Sequence, residues 1–176
     1  MSEFPIHTIE SAPPASRPSL QRLQQEIGFV PNLAATMADS PALLDGFTSV
    51  RNILGSSAFT RLERETISLA VSVANDCSYC IAAHSVFARM AGGSEPDIAA
   101  LRDGAAPDDA RLAALAAYTR HLVANRGHAS DEAKHALLDA GFTRAQLLEA
   151  IAVVAFTTIA NYAHNVSRCA IDPQFQ

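Results

Sequence analysis

The sequence predicts an all-α protein: apolar residues recur at spacings of three and four, no segment alternates with period two, and glycines separate the periodic stretches. Residues 1–17 are rich in Pro, Ser and Ala without a period, so an extended arm lying on the body or on a neighbour is expected there. The chain, 1–176, is expected to be one domain, long enough to enclose a hydrophobic core. From Pro18 the pattern turns helical, with Leu20, Leu23 and Ile27 on one face and Gly28 as the stop. Phe29, Val30, Pro31 and Asn32 read as a turn. Ser40 before Pro41 reads as the cap of a helix whose apolar face carries Leu43, Leu44, Phe47, Val50 and Leu54. Gly55, Ser56 and Ser57 break it, and Thr60 with Glu63 has the spacing of a capping box that starts the helix bearing Glu65. Asn75 or Asp76 is expected to cap the next helix, from near Cys77 to about Met90, ended by Gly92 and Gly93. Further helices are expected over 96–101, 107–123, 130–138 and 143–166, set apart by Gly104, Gly127 and Gly141.

Alanine is abundant on these segments, which lets helix axes approach closely at little cost in side-chain entropy. Residues 150–159 are apolar around much of the helix circumference and require cover on several sides, another subunit included.

Charge and composition exclude several functions. A net charge of -5, a pI near 5.6 and scattered basic residues argue against nucleic acid, which needs clustered Lys and Arg to displace counterions. The N-terminal residues lack the basic end and unbroken apolar run of an export signal. The longest strongly apolar stretch, 151–160, is shorter than the roughly 20 residues of a bilayer span, so no membrane role is expected. A cytoplasmic location follows as the expectation. Three cysteines cannot all pair within one chain, and a reducing compartment makes any Cys pair catalytic or metal-binding.

The informative stretch runs from Glu65 through Cys77, Ser78, Tyr79 and Cys80 to His84. On a helix Cys77 and Cys80 are one turn apart and His84 lies one turn beyond, so all three share a face. A free thiol, with a pKa of about 8.5, is mostly protonated at neutral pH and needs activation. The first turn of a helix favours an anionic sulfur, and an imidazole one turn from Cys80 can take its proton directly or through water. Glu65, on the preceding helix, is positioned to orient that imidazole if the two helices pack together. Two thiols at this spacing can close a disulfide, which protects an oxidised sulfur from irreversible acids. That combination suits peroxide reduction or disulfide exchange.

On these residues the stretch resembles the AhpD-like alkylhydroperoxidase family of the carboxymuconolactone decarboxylase superfamily. Gly28, Phe29, Val30, Pro31 and Asn32 are similar to a segment of its peroxidase-related members. The resemblance implies a compact multi-helix AhpD-like bundle, with the two cysteines at the start of a central helix. It implies an antioxidant peroxidase in which Cys80 attacks the hydroperoxide, Cys77 resolves it, and His84 with Glu65 relays protons. It also implies homo-oligomers, no cofactor or metal, and reduction by a separate protein or lipoyl dithiol. One departure stands out: Ser78 and Tyr79 lie between the cysteines, where the best-known members have a histidine directly before the second. Tyr79 reads as a packing residue, or as a hydrogen-bond donor to a bound peroxide.

Other readings of the same residues are a non-enzymatic redox sensor or scaffold, a pair of structural thiols, and a zinc-stabilised helical domain. Zinc would draw on Cys77, Cys80, His84 and Glu65, although structural zinc sites take ligands from two separated clusters and a second is absent. Cys169 reads as an inert packing residue, and His121, His128 and His135 as surface residues. Asn161 and His164, one turn apart on the last helix, read as a satisfied polar pair or as residues facing a pocket or subunit contact.

Overall fold

The computed structural model describes residues 3–176. In chain order its helices are α1 (Arg17–Ile27), α2 (Asn32–Met37), α3 (Pro41–Leu54), α4 (Arg61–Ala74), α5 (Ser78–Met90), α6 (Glu95–Arg102), α7 (Ala110–Ala124), α8 (Asp131–Asp139) and α9 (Arg144–Ser167). Short 3-10 turns precede α1 and follow α9, and no strand occurs among the described residues.

Local chemistry fixes most of the helix ends. The Ser40 hydroxyl accepts from the Leu43 N–H at the head of α3, where Pro41 fills a first-turn position whose N–H has no helical partner. Thr60 and Glu63 form the reciprocal capping box on α4, and Thr143 with Gln146 forms another on α9. Gly28 closes α1 at φ 91°, a left-handed conformation that a side chain would strain.

Some boundaries depart from the sequence expectation. Asn32 belongs to α2 instead of the turn before it, with Pro31 as the N-cap residue. Helix α7 begins at Ala110 because the Asp109 carboxylate accepts from the N–H groups of Arg111 and Leu112 and so sets the start beyond 107. Neither Asn75 nor Asp76 caps α5. Asn75 closes α4, Asp76 turns the chain at φ 51°, and Cys77 itself becomes the N-cap residue. The N-terminal residues lie on the body: His7 meets the Asp39 carboxylate at 2.7 Å, and the buried Ser16 hydroxyl donates to the Ala38 carbonyl at 2.7 Å.

Helices α4 and α9 are the centre of the bundle. The first packs against α5, α6, α7 and α9, the second against α2, α3, α4, α5, α7 and α8. One side of the core gathers Leu20, Leu23, Leu33, Met37 and Leu44 around Cys77, Tyr79 and Cys80. The other gathers Ile67, Val71, Leu115, Leu122, Leu137 and Val153. By length and composition α9 is apolar enough to cross a membrane, but its inner face carries buried Thr157, Asn161 and His164 and fits a core helix. Its outer face, with Leu148, Ile151, Tyr162 and Val166, stays exposed.

Replacing Thr60 by Ala removes the acceptor for the Glu63 N–H and is expected to cost about 1 kcal/mol. Urea unfolding should show a lower midpoint with an unchanged slope.

Candidate active site

Two backbone features bring the sulfurs to their place. The Cys77 N–H donates to the Ser72 carbonyl at 2.9 Å, which ties the head of α5 to the last turn of α4. The turn at Asp76 then sends α5 back along α4. Cys77 stands at the helix entrance, Cys80 in the first turn and His84 one turn on. The same packing brings Glu65 of α4 to His84, whose Nδ1–H donates to the Glu65 Oε2 at 2.7 Å. Both side chains are largely buried.

The imidazole against a sulfur is a different one. His164 of α9 places Nδ1 3.6 Å from the Cys77 Sγ. The Cys80 thiol donates to the same sulfur, and together with His164 it draws the Cys77 thiol down to about 5, against the opposing effect of burial. Cys80 is driven the other way, upward, because its proton is held in the hydrogen bond to Cys77 and because it is buried. His164 is raised by its hydrogen bond to Cys77. The arrangement favours the anion on Cys77 over Cys80 and the protonated form of the imidazole beside it. The resemblance implies Cys80 as the attacking sulfur, while the surroundings favour the anionic form at Cys77.

Around this pair runs a hydrogen-bonded seam between α4 and α9. Ser68 meets Thr157 at 3.0 Å, the Asn161 amide donates to the Ser72 hydroxyl at 3.2 Å, and the Asn75 amide donates to the Asn161 carbonyl oxygen at 2.9 Å. Asn161 also stabilises the anionic form of Cys80. Thus Asn161 and His164, which the sequence left between a polar pair and a pocket lining, are buried partners of the two sulfurs. Their legible signal was the spacing of Thr157, Asn161 and His164, a polar stripe on one face of an apolar helix.

Tyr79 does not reach toward open space. Its hydroxyl donates to the Asp172 carboxylate and accepts from the Leu33 N–H at 3.4 Å, and its ring packs on His164 and Phe175. Burial, then the Asp172 carboxylate, pushes its ionisation up. Asp172 also accepts from the Asn32 N–H, so Tyr79 pins the C-terminal segment to the start of α2. Cys169 is buried in the same apolar cluster, its thiol pushed up by burial. His128 and His135 are exposed, while His121 is half-buried and accepts from the Ser130 N–H at 3.1 Å.

A cavity of about 690 Å³ opens beside the site, with Glu65, Ser68 and His84 on one wall and Phe87, Phe156 and Phe175 among the others. Neither sulfur lines it: Cys77 is 0% and Cys80 2% exposed. Glu65, His84 and Ser68 line the cavity on the same two helices, α4 and α5, that carry or adjoin the dithiol. Among the described residues no group of three or more His, Cys, Asp and Glu is placed to hold a metal ion.

Residues 41–121 match the carboxymuconolactone decarboxylase family. The fold is similar to a peroxidase-related protein with an alkylhydroperoxidase AhpD core from Ralstonia eutropha JMP134, at 25% identity and a TM-score of 0.86 over 99% of this chain and 94% of that one. A peroxidase-related protein from Silicibacter sp. TM1040 is 24% identical with a TM-score of 0.82, covering 98% and 92% of the two chains. A Cys-to-Ala variant of the debrominase Bmp8 in complex with 2,3,4-tribromopyrrole is 18% identical with a TM-score of 0.81, covering 99% and 96%. The last two show a shared fold. No curated protein matches the sequence significantly.

The thiolate gives a spectroscopic test. Absorbance of the reduced protein at the thiolate band should persist as pH falls and disappear through about 5, where Cys77 takes up its proton. In His164→Phe the same titration should shift upward toward the ordinary thiol value; an unchanged midpoint would remove His164 from the account.

Proposed function

We propose that the chain is an AhpD-like, peroxidase-related member of the carboxymuconolactone decarboxylase superfamily, whose family matches residues 41–121, and that it is a cysteine-based peroxidase cycling between dithiol and disulfide at Cys77 and Cys80. The observation that carries this reading is the juxtaposition of the two sulfurs at the head of α5 with His164 at 3.6 Å from the Cys77 Sγ and the His84–Glu65 pair one turn beyond Cys80.

Hydroperoxide enters from the cavity, past His84. Cys80, one turn from His84, attacks the terminal oxygen as its proton leaves the hydrogen bond to Cys77 and passes through water to the imidazole. An S–O bond forms, the O–O bond breaks, and the alkoxide leaves with the proton returned by His84, which Glu65 holds through Nδ1. The Cys77 thiolate then attacks the sulfenic sulfur of Cys80. An S–S bond forms, and hydroxide departs as water with the proton of the His164 imidazolium. Hydroperoxide and dithiol have become alcohol, water and disulfide. A separate protein or lipoyl dithiol returns the two electrons by thiol–disulfide exchange.

The large apolar side chains exposed along one face of α9, Leu148, Ile151, Tyr162 and Val166, support a homo-oligomer. A cytoplasmic setting is part of this proposal, since a reducing compartment returns the pair to its dithiol form. Burial of both sulfurs favours a second reading, a redox sensor that oxidises once without turnover.

Steady-state peroxide consumption with a dithiol reductant separates the two. Catalysis far above that of free thiol is expected, with two thiols lost per chain on oxidation and a Cys77–Cys80 bond in the mass spectrum. Cys80→Ser should abolish consumption, Cys77→Ser should stop after one turnover with a trappable sulfenic acid, and His84→Ala should slow it about 10²-fold. If Cys77→Ser rather than Cys80→Ser prevented sulfenic acid formation, the two sulfurs would have their roles exchanged.

A further inference from the structure

The cavity has an order along α4. Arg61, Arg64, Glu65 and Ser68 all line it and follow one another at helical spacing, so Arg61 and Arg64 mark one end and Ser68 the other. The far walls are aromatic and aliphatic, formed in part by Phe87, Met90, Phe156 and Phe175. The charges of this lining do not cancel. Arg51 donates to Glu26, and Glu65 accepts from His84, so the two carboxylates are engaged. Arg64 donates only to neutral acceptors, the Phe59 carbonyl at 2.7 Å and the Ser57 hydroxyl at 3.3 Å. Neither Arg61 nor Arg64 has an ion-pair partner among the described residues. Both stand in the first turns of α4, where the helix dipole disfavours a cation, so helix stability gives no reason for them.

We propose that this cavity takes an organic hydroperoxide with an apolar chain and a carboxylate, the carboxylate on Arg61 and Arg64 and the chain against the phenylalanines. The proposal rests on the peroxidase reading and names its substrate class. Helix geometry sets the length. Cys77 is tied to Ser72 and His84 to Glu65, so Cys80 lies near the level of Ser68, about 10 Å along the axis from Arg61. The reacting oxygens therefore sit roughly a medium-length alkyl chain away from the anionic group. A lone small peroxide leaves the apolar walls and both arginines unused, whereas a fatty-acid hydroperoxide engages all three features. Arg61 is exposed and supplies the mouth, Arg64 is half-buried and supplies the inner contact.

Calorimetric titration of the full reduced chain with octanoate and with octanol tests the site without any chemistry. Octanoate should bind at least about tenfold more tightly. Arg61→Glu should erase that preference, and Arg61→Lys, which keeps the charge, should restore most of it; circular dichroism confirms that the exposed substitutions leave the fold intact. Equal binding of the two probes, no binding of either, or an unchanged preference in Arg61→Glu would overturn the proposal. Peroxide consumption measured in parallel keeps the two ideas apart. Turnover without a carboxylate preference in binding would sink the substrate class and leave the activity. A carboxylate preference without turnover of any hydroperoxide would sink the activity and leave an anion-binding cavity.

Discussion

A negative sulfur in a helical core is costly unless donors and a cation meet it at contact distance, because little water remains to solvate it. Cys77 has no exposed surface, so everything that stabilises its charge must come from the protein. The Cys80 thiol and the His164 imidazole do so from different elements. The first contact is local to α5. The second spans 87 positions of sequence and exists only if α9 crosses behind the head of α5 in one register. The demand of one charge thereby constrains the arrangement of α4, α5 and α9, the helices at the middle of the bundle.

The α4–α9 interface answers that demand in an unusual way for an alanine-rich chain. Its centre is a row of buried polar residues, Ser68, Ser72, Thr157 and Asn161, paired across the two helices. Each such bond adds only about 1 kcal/mol to stability, while an orphaned partner costs about 1–3 kcal/mol. A one-turn slip of α9 would orphan several groups at once, so the row favours a single register more than it adds strength. Asn161 shows the benefit most directly: its side chain serves Ser72, Asn75 and Cys80 together. The seam reaches the cavity at Ser68 and the dithiol at Asn161.

Helix periods and caps were legible because they depend on neighbours within four residues. Thr60 with Glu63, Ser40 with Pro41, and Gly28 are read from sequence and sit where they were expected. The shared face of Cys77, Cys80 and His84 is equally local, and Glu65 became legible through its fixed separation from them. The polar stripe that includes His164 was legible too, but its partner was not, since nothing in a linear reading says which polar residue on the last helix comes to a given sulfur. Asp76 misled for a subtler reason: an acidic residue before a helix is a good cap, but it also tolerates the left-handed turn that passes the cap position to Cys77.

Tyr79 shows how a change at one position can alter what a neighbouring segment does. Where the resembled family has a titratable histidine between the cysteines, this chain has a phenol whose proton is held by Asp172. That bond, with those from the Asn32 N–H to the same carboxylate, fastens the residues after α9 over the dithiol side of the core. Phe175 follows and inserts its ring among Phe29, Tyr79 and Phe87 while forming part of the cavity wall. A histidine at this position would present a ring nitrogen to Asp172 but would lack the reach of the phenol oxygen to the Leu33 N–H. The tyrosine thus puts an anchored wall where a titratable ring would stand next to Cys80, and leaves His84 at the cavity and His164 against Cys77 as the imidazoles of the site.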